Sequence, residues 1–381
     1  MFTFNEEKLN YLFSILEKQV DPFGRYFYKG IYDGFQVKED QGDMTYHNGI
    51  LLQILAFSVL NNKYKEFSKK LLRKLSMYFH LAQANSLIGR EFLFENEFDL
   101  LMPHEKHCRK GTFLGLDNGK VCNKWHINHS NIYIRYDISV DSLLSFLAGV
   151  LYIKSNFWFY DSIEKEVVVS FFEKVRKLKS YYEINDYIIR DFENGKPCRF
   201  GNHYPYLTPM NYLLHYALDL IVDKDPKENK IMEWLVNNTK TYLTGVFKNK
   251  KERFTYNGYM FAMIVSAINY YLKIKRKPLK FLKGLQNILN EAKGEQNLFF
   301  LKIANYFGLK YNPGFYTNIL DNYIVSGISF NKEVNQVVNL SHRIYYNRWE
   351  KSAYTYSQKL EGQELYFCNE DLLQAYFIFE K

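Results

Sequence analysis

The chain is 381 residues long, is 47% apolar and 24% charged, and sets 50 Lys and Arg against 41 Asp and Glu for a formal charge of +9. That much apolar material builds a sizeable core, which excludes wholesale disorder, and four cysteines in so long a chain exclude a disulfide-built scaffold. The positive surplus permits an acidic ligand, but no RNP, zinc-finger or helix-turn-helix signature accompanies it, so nucleic acid is not an expected partner. Aromatic residues make 18% of the chain. Phe, Tyr, Lys, Asn and Ile rise together, as in A+T-rich coding sequence, so most of these rings are expected in the core.

The opening MFTFNEEKLNYLFSILEK is acidic where a secretory leader is basic, and its apolar residues recur at helical spacing. No apolar run of ~18 residues escapes polar interruption, so no membrane span is expected. The expectation is a cytoplasmic protein with reduced thiols.

Two kinds of segment then alternate along the chain. Residues 46–60, YHNGILLQILAFSVL, carry no charge, and a helix apolar on all sides must be buried on all sides. Residues 66–79, EFSKKLLRKLSMYF, instead show one stripe of Phe67, Leu71, Leu72, Leu75 and Tyr78 with lysines opposite. The couple returns as 137–153 with 163–178, whose stripe is Ile163, Val167, Val168, Phe171, Phe172, Val175 and Leu178. It returns again as 209–222 with NKIMEWLVNNTKTYL, and as 258–272 with PLKFLKGLQNIL. Pro209 and Pro278 suit first helical turns, Asp137 an N-cap, and Gly258 a helix start.

Buried inner helices alternating with amphipathic outer ones predict an all-α chain folded as a single domain over 1–381, an α/α toroid of about five or six hairpins. A solenoid of helical hairpins is the rival, but the irregular starts near 46, 137, 209 and 258 argue against a strict repeat. Segments 80–136 and 180–208 read as long loops, a length usually reserved for function. The stretch 307–368 is irregular, with NYIVSGISF and RIYYN as candidate strands of a small C-terminal β element.

In a ring of this kind the starts of the inner helices converge on one mouth. Here they hold Asp43, Tyr46, His47 and Asn48; Arg135, Tyr136, Asp137 and Asp141; Asn202, His203, Tyr204, Tyr206 and Asn211; and Tyr256 with Asn257. Asp137 and Asp141 are four residues apart and share a helix face, which raises the pKa of one of them. The alternative is that Asp43 and Asp137 cap their helices and Asp141 is a hydrogen-bond partner of Tyr46 or Arg135. His215, in an otherwise apolar helix, reads as a core residue.

The phrases GD…TYHNG and YD.S.D…G resemble those that open inner helices in the six-hairpin glycosidase-like superfamily of α/α toroids, over residues 42–290. The resemblance implies a saccharide or glycan ligand, with hydrolysis or β-elimination as the reaction, and equally admits members that only bind. Glycosidic cleavage needs one protonated and one ionised carboxyl group flanking the bond, which assigns Asp43 and one of Asp137 or Asp141. β-Elimination needs a base and a neutraliser of the substrate carboxylate, types that His47, His203, Tyr206 and Arg135 supply. Tyr46, Trp125, His126, Arg135 and Tyr206 are the candidate sugar contacts, and the charge of +9 suits an acidic glycan.

Residues 104–129 gather His104, His107, Cys108, Cys122, His126 and His129. A zinc staple of Cys108, Cys122, His126 and a further histidine such as His129 is one reading; a zinc-dependent toroid enzyme, third among the functions with a lyase, would instead need Cys and His ligands from separate inner helices. The spacing matches no standard finger, so the leading expectation is no cofactor and a loop whose Trp125 and His126 contact glycan. Dinucleotide, P-loop, G-x-S-x-G and H-E-x-x-H signatures are absent. The function expected is carboxylate-based glycoside hydrolysis; the alternative is a non-catalytic helical ring that binds a glycan or a protein, and a polysaccharide lyase stands third.

Overall fold

Helix α1 (Glu6–Gln19) leads through a turn at Asp21–Arg25 to a bridge between Val20 and Tyr26. This computed structural model describes residues 6–26, 44–84, 86–94, 113–115, 132–135, 138–190, 195–238, 250–292, 298–311 and 370–379. Helix α2 (Met44–Ser58) follows, and all its residues are buried, as its lack of charge requires. Helix α3 (Lys65–Leu81) buries Leu71, Leu72, Leu75 and Tyr78, the predicted stripe, with Phe67 packed partly against it.

The described part of 80–136 is not simply loop. A two-residue hairpin, β1 (Gln83–Ala84) and β2 (Leu87–Ile88), is followed by β3 (Glu91–Phe94), β4 (Phe113–Gly115) and β5 (Ile132–Arg135), an antiparallel sheet in the order β3–β5–β4. These strands are short, and their EFLF and IYIR runs carry the aromatic and β-branched residues that suit a pleated surface. The second predicted loop likewise holds a hairpin, β6 (Ile188–Arg190) with β7 (Pro197–Asn202). The chain is therefore mostly α with small sheets between the helices. The β element expected in 307–368 lies, beyond residue 311, outside the described residues.

Helix α4 (Val140–Asn156) is nearly all buried and packs on α2 and on the two later apolar helices that begin at Pro209 and Lys250. Its stretch Val140–Phe159 is the one described segment long and apolar enough to cross a membrane, and 78% of it is buried inside the fold. The observed N-cap is Ser139, while Asp137 lies outside the described residues. Helix α5 (Ser162–Ile184) is capped by Asp161, whose carboxylate accepts from the Glu164 N–H at 2.9 Å while Glu164 accepts from the Asp161 N–H at 3.0 Å. Its buried stripe of Val168, Phe171, Val175, Leu178 and Tyr182 extrapolates back to buried Glu164. Ile163, expected in that stripe, sits one position off it and is 53% exposed.

Helix α6 (Pro209–Ile221) starts on Pro209 as expected, with Thr208 Oγ1 accepting from the Asn211 N–H. Helix α7 (Lys230–Asn237) is capped by Asn229. Helix α8 (Lys250–Ile274) runs straight through Gly258, contrary to the expected start there. Residues 250–257 hold no helix breaker, and a mid-helix glycine costs only ~1 kcal/mol. Pro278 also opens no helix: Asn269 of α8 forks onto Lys280, accepting from its N–H and donating to its carbonyl. That clamp holds Lys280 out of a helix, and α9 (Leu282–Glu291) begins after Phe281, which is in a left-handed conformation. Helices α10 (Leu298–Phe307) and α11 (Glu370–Phe377) complete the described elements.

Helix directions follow from contacts. Tyr46 meets Ser145, Leu52 meets Gly149 and Ala56 meets Asn156, so α2 and α4 are parallel. Tyr152 meets Ser266 and Asn156 meets Tyr270, so α8 is parallel to both. The amphipathic α3 is antiparallel to α2, with Thr45 at Tyr78 and Ser58 at Ser68. Helix α5 runs alongside α3 in the same direction, with Lys69 at Glu164 and Ser76 at Ser170. Helix α6 opposes α5, Lys179 meeting Asp219 and Tyr182 meeting His215, and so runs parallel to α2, α4 and α8.

Candidate functional site

Because they run parallel, α2, α4 and α6 all begin on one face of the molecule. At the start of α2 one of the N–H groups that no helix turn can satisfy is met by the residue just before β3: Thr45 N–H donates to the Arg90 carbonyl at 2.8 Å. Thr45 Oγ1 donates to the Gly89 carbonyl and bonds Tyr78 Oη. Tyr46 and His47 are buried, the imidazole edge-on to the Tyr46 ring at 4.9 Å and to Tyr26 at 6.5 Å. Asn48 Nδ2 donates to the Gly24 carbonyl.

Beside this helix start lies a buried set of charges. Arg135 and Glu91 face each other in the β3–β5 register, and their side chains pair at 3.4 Å. Arg25 pairs with Asp21 at 2.8 Å and lies over the Phe92 and Phe94 rings at 5.4 and 4.8 Å. Burial pushes the Asp21 carboxyl up from its ordinary range, against the charge and hydrogen bonds of Arg25 and the Phe23 N–H. Sequence reasoning found Arg135 and missed Glu91 and Asp21. The available signal was a charged residue inside the otherwise apolar run EFLF.

Asp141 occupies the first turn of α4, partly exposed, with Oδ1 accepting from the Ser142 N–H at 3.1 Å. A carboxylate there is favoured by the helix dipole.

The third helix start is built on the β6–β7 hairpin. His203 is fully buried: its N–H donates to the Tyr187 carbonyl, its Nδ1 lies 2.5 Å from Tyr182 Oη, and its carbonyl accepts from His215 Nε2 at 2.7 Å. Burial lowers His215 to about 4, against the hydrogen bond to His203. One and three residues along, Tyr204 and Tyr206 stand out of the surface, 45% and 40% exposed, their rings edge-to-face at 5.6 Å. The backbone beneath them is held by Asn211, whose Nδ2 donates to the Asn202 and Tyr204 carbonyls.

Of the predicted set the structure thus places Tyr46, His47, Arg135, Asp141, His203 and Tyr206. Asp43, Asp137, Trp125, His126, Cys108, Cys122 and His129 lie outside the described residues. Among the described residues no group of three or more His, Cys, Asp or Glu is placed to hold a metal ion. No protein-family model, curated protein or solved structure matches this chain.

Proposed function

We propose that this chain is an α/α toroid of the six-hairpin glycosidase-like kind, which binds a glycan on the face where α2, α4 and α6 begin and cleaves it there. The observation that carries the reading is the parallel inner set: it delivers Asp141 and the exposed Tyr204–Tyr206 pair to one face from segments far apart in sequence. Supporting the ring, α10 packs on α8 and on α11, and α11 packs on α2, a chain of contacts leading from the last inner helix back to the first.

Sugar rings stack on aromatic faces, and the tyrosine pair offers two such faces held firmly from below. Asp43 with Asp137 or Asp141 supplies the acid and the base or nucleophile of hydrolysis. His47 and His203 are buried among aromatic rings, which assigns them to the walls and favours hydrolysis over β-elimination. The same burial favours a second reading, a ring that binds glycan without cleaving it.

Incubation with a panel of oligosaccharides, followed by mass analysis, tests the proposal. Turnover is expected, and Asp43→Asn and Asp137→Asn should each abolish it at unchanged Tm, since an amide keeps the shape but can neither donate a proton nor act as a base. Tyr206→Ala should weaken binding roughly fivefold, about 1 kcal/mol of stacking. Binding that depends on Tyr206 without turnover selects the second reading, and no binding to any member overturns both.

A further inference from the structure

The end of the molecule where α4, α6 and α8 finish presents apolar and basic side chains together. After Asn156 the chain makes one short 3₁₀ turn, Phe157–Phe159, before Asp161 caps α5. Phe157 packs partly against the core, whereas Trp158 is 76% and Phe159 57% exposed, and Ile163 in the first turn of α5 is exposed as well. One exposed apolar residue needs no explanation, but two large rings and an isoleucine so close along the chain concentrate apolar surface in water. Helix α8 ends beside this turn. Tyr270 Oη donates to Asn156 Oδ1 at 2.9 Å and the two helices are parallel, so the residues one turn past Tyr270 lie level with the aromatic turn. They are Lys273, Lys275, Arg276 and Lys277, all exposed. The acids of this end are engaged already, Asp223 with Lys154 at 2.7 Å and Asp225 with Lys277 at 3.3 Å. Among the described residues no carboxylate pairs with Lys273, Lys275 or Arg276.

We propose that this end of the molecule docks on an anionic lipid bilayer, with Trp158 and Phe159 entering the interface and Lys273, Lys275 and Arg276 held against the headgroups. Aromatic rings settle at headgroup level, and each basic residue near an anionic bilayer is drawn by its surface potential. Single-stranded nucleic acid is the other polyanion that basic and aromatic side chains bind together. Ile163 favours lipid, because an aliphatic side chain gains from acyl chains but has no ring to stack on a base. The inference is independent of the glycan reading, since it uses the opposite end of the helices and leaves the face where α2, α4 and α6 begin turned away from the bilayer.

Sedimentation of the whole chain with vesicles of phosphatidylglycerol and phosphatidylcholine, against vesicles of phosphatidylcholine alone, tests it. Binding is expected to the anionic vesicles only, weakening as salt is raised, with tryptophan emission quenched by brominated acyl chains. Trp158→Ser with Phe159→Ser should weaken partitioning at least about tenfold at unchanged Tm, and Lys275→Gln with Arg276→Gln should do the same. Trp158→Phe should keep the binding and lose most of the quenching. No binding to anionic vesicles, equal binding to both kinds, or binding indifferent to either pair of substitutions overturns the proposal. Tighter binding of a single-stranded oligonucleotide would overturn it in favour of nucleic acid. A dimer in lipid-free solution that Trp158→Ser dissociates would overturn it in favour of a second copy of this chain.

Discussion

The Tyr182–His203–His215 cluster couples proton uptake to stability at the scale of single residues. His215 titrates near 4 in the folded chain because burial disfavours its charged form, whereas an unfolded histidine titrates near 6.5. Between those values the unfolded state binds the extra proton, so stability falls as pH drops from about 6.5 to about 4 and is fully present above that window. The loss amounts to ~3 kcal/mol at most. Urea titrations across pH 4–7 should show it, and His215→Gln, which retains a donor for the His203 carbonyl, should flatten the curve; an equally steep curve in the variant refutes the assignment. That His215 belongs to the core was legible from its apolar helix. Its partners were not, because Tyr182 and His203 reach it from a helix and a hairpin whose docking no local spacing encodes.

At the scale of elements, the contact between α2 and α4 is made close by Gly49 and Gly149. A Cβ on Gly49 would meet Phe146 N and Ser145 Oγ at 2.5 Å, backbone and a held hydroxyl that cannot retreat. A Cβ on Gly149 would meet Leu52 Cβ at 2.9 Å and the Gly49 carbonyl oxygen at 3.1 Å, contacts that also cannot swing aside but are looser than those at Gly49. Gly49→Ala should therefore cost about 3 kcal/mol and Gly149→Ala about 2 kcal/mol, part of each offset by the better helix propensity of alanine. Comparing denaturant midpoints checks the ranking, and equal costs would mean that the helices separate freely. Asp161→Ala, which removes the α5 capping box, should cost about 1 kcal/mol by the same measurement. The helices themselves were legible, because burial on all sides and burial on one stripe leave different apolar patterns. Their exact starts were less so: the clamp of Asn269 on Lys280, which delays α9, is a tertiary contact. The strands of 83–94 and 132–135 escaped notice because runs of two to four residues are too short to establish a period of two.

At the scale of the whole molecule, one buried polar hub joins four helices. Gln53 of α2 donates to the Ser145 carbonyl of α4 at 3.1 Å and to Met263 Sδ of α8 at 3.0 Å. Its Oε1 accepts from Gln374 Nε2 of α11 at 2.7 Å across 321 residues of chain, and Gln374 Oε1 accepts from Tyr259 Oη of α8. Both glutamines are fully buried, so each bond removed strands a desolvated partner. Gln374→Met keeps the volume but leaves Gln53 Oε1 without its donor and Tyr259 Oη without its acceptor, and should cost ~2–4 kcal/mol. Gln53→Met with Gln374→Met should cost less than the two single changes summed, because the second substitution removes a group the first had already orphaned. A double-mutant cycle read by chemical denaturation, with one transition throughout, is the expected result. A wild-type midpoint for Gln374→Met would show instead that α11 rests on the core without completing it. The proposed ring would then draw no stability from the contact that leads back to α2.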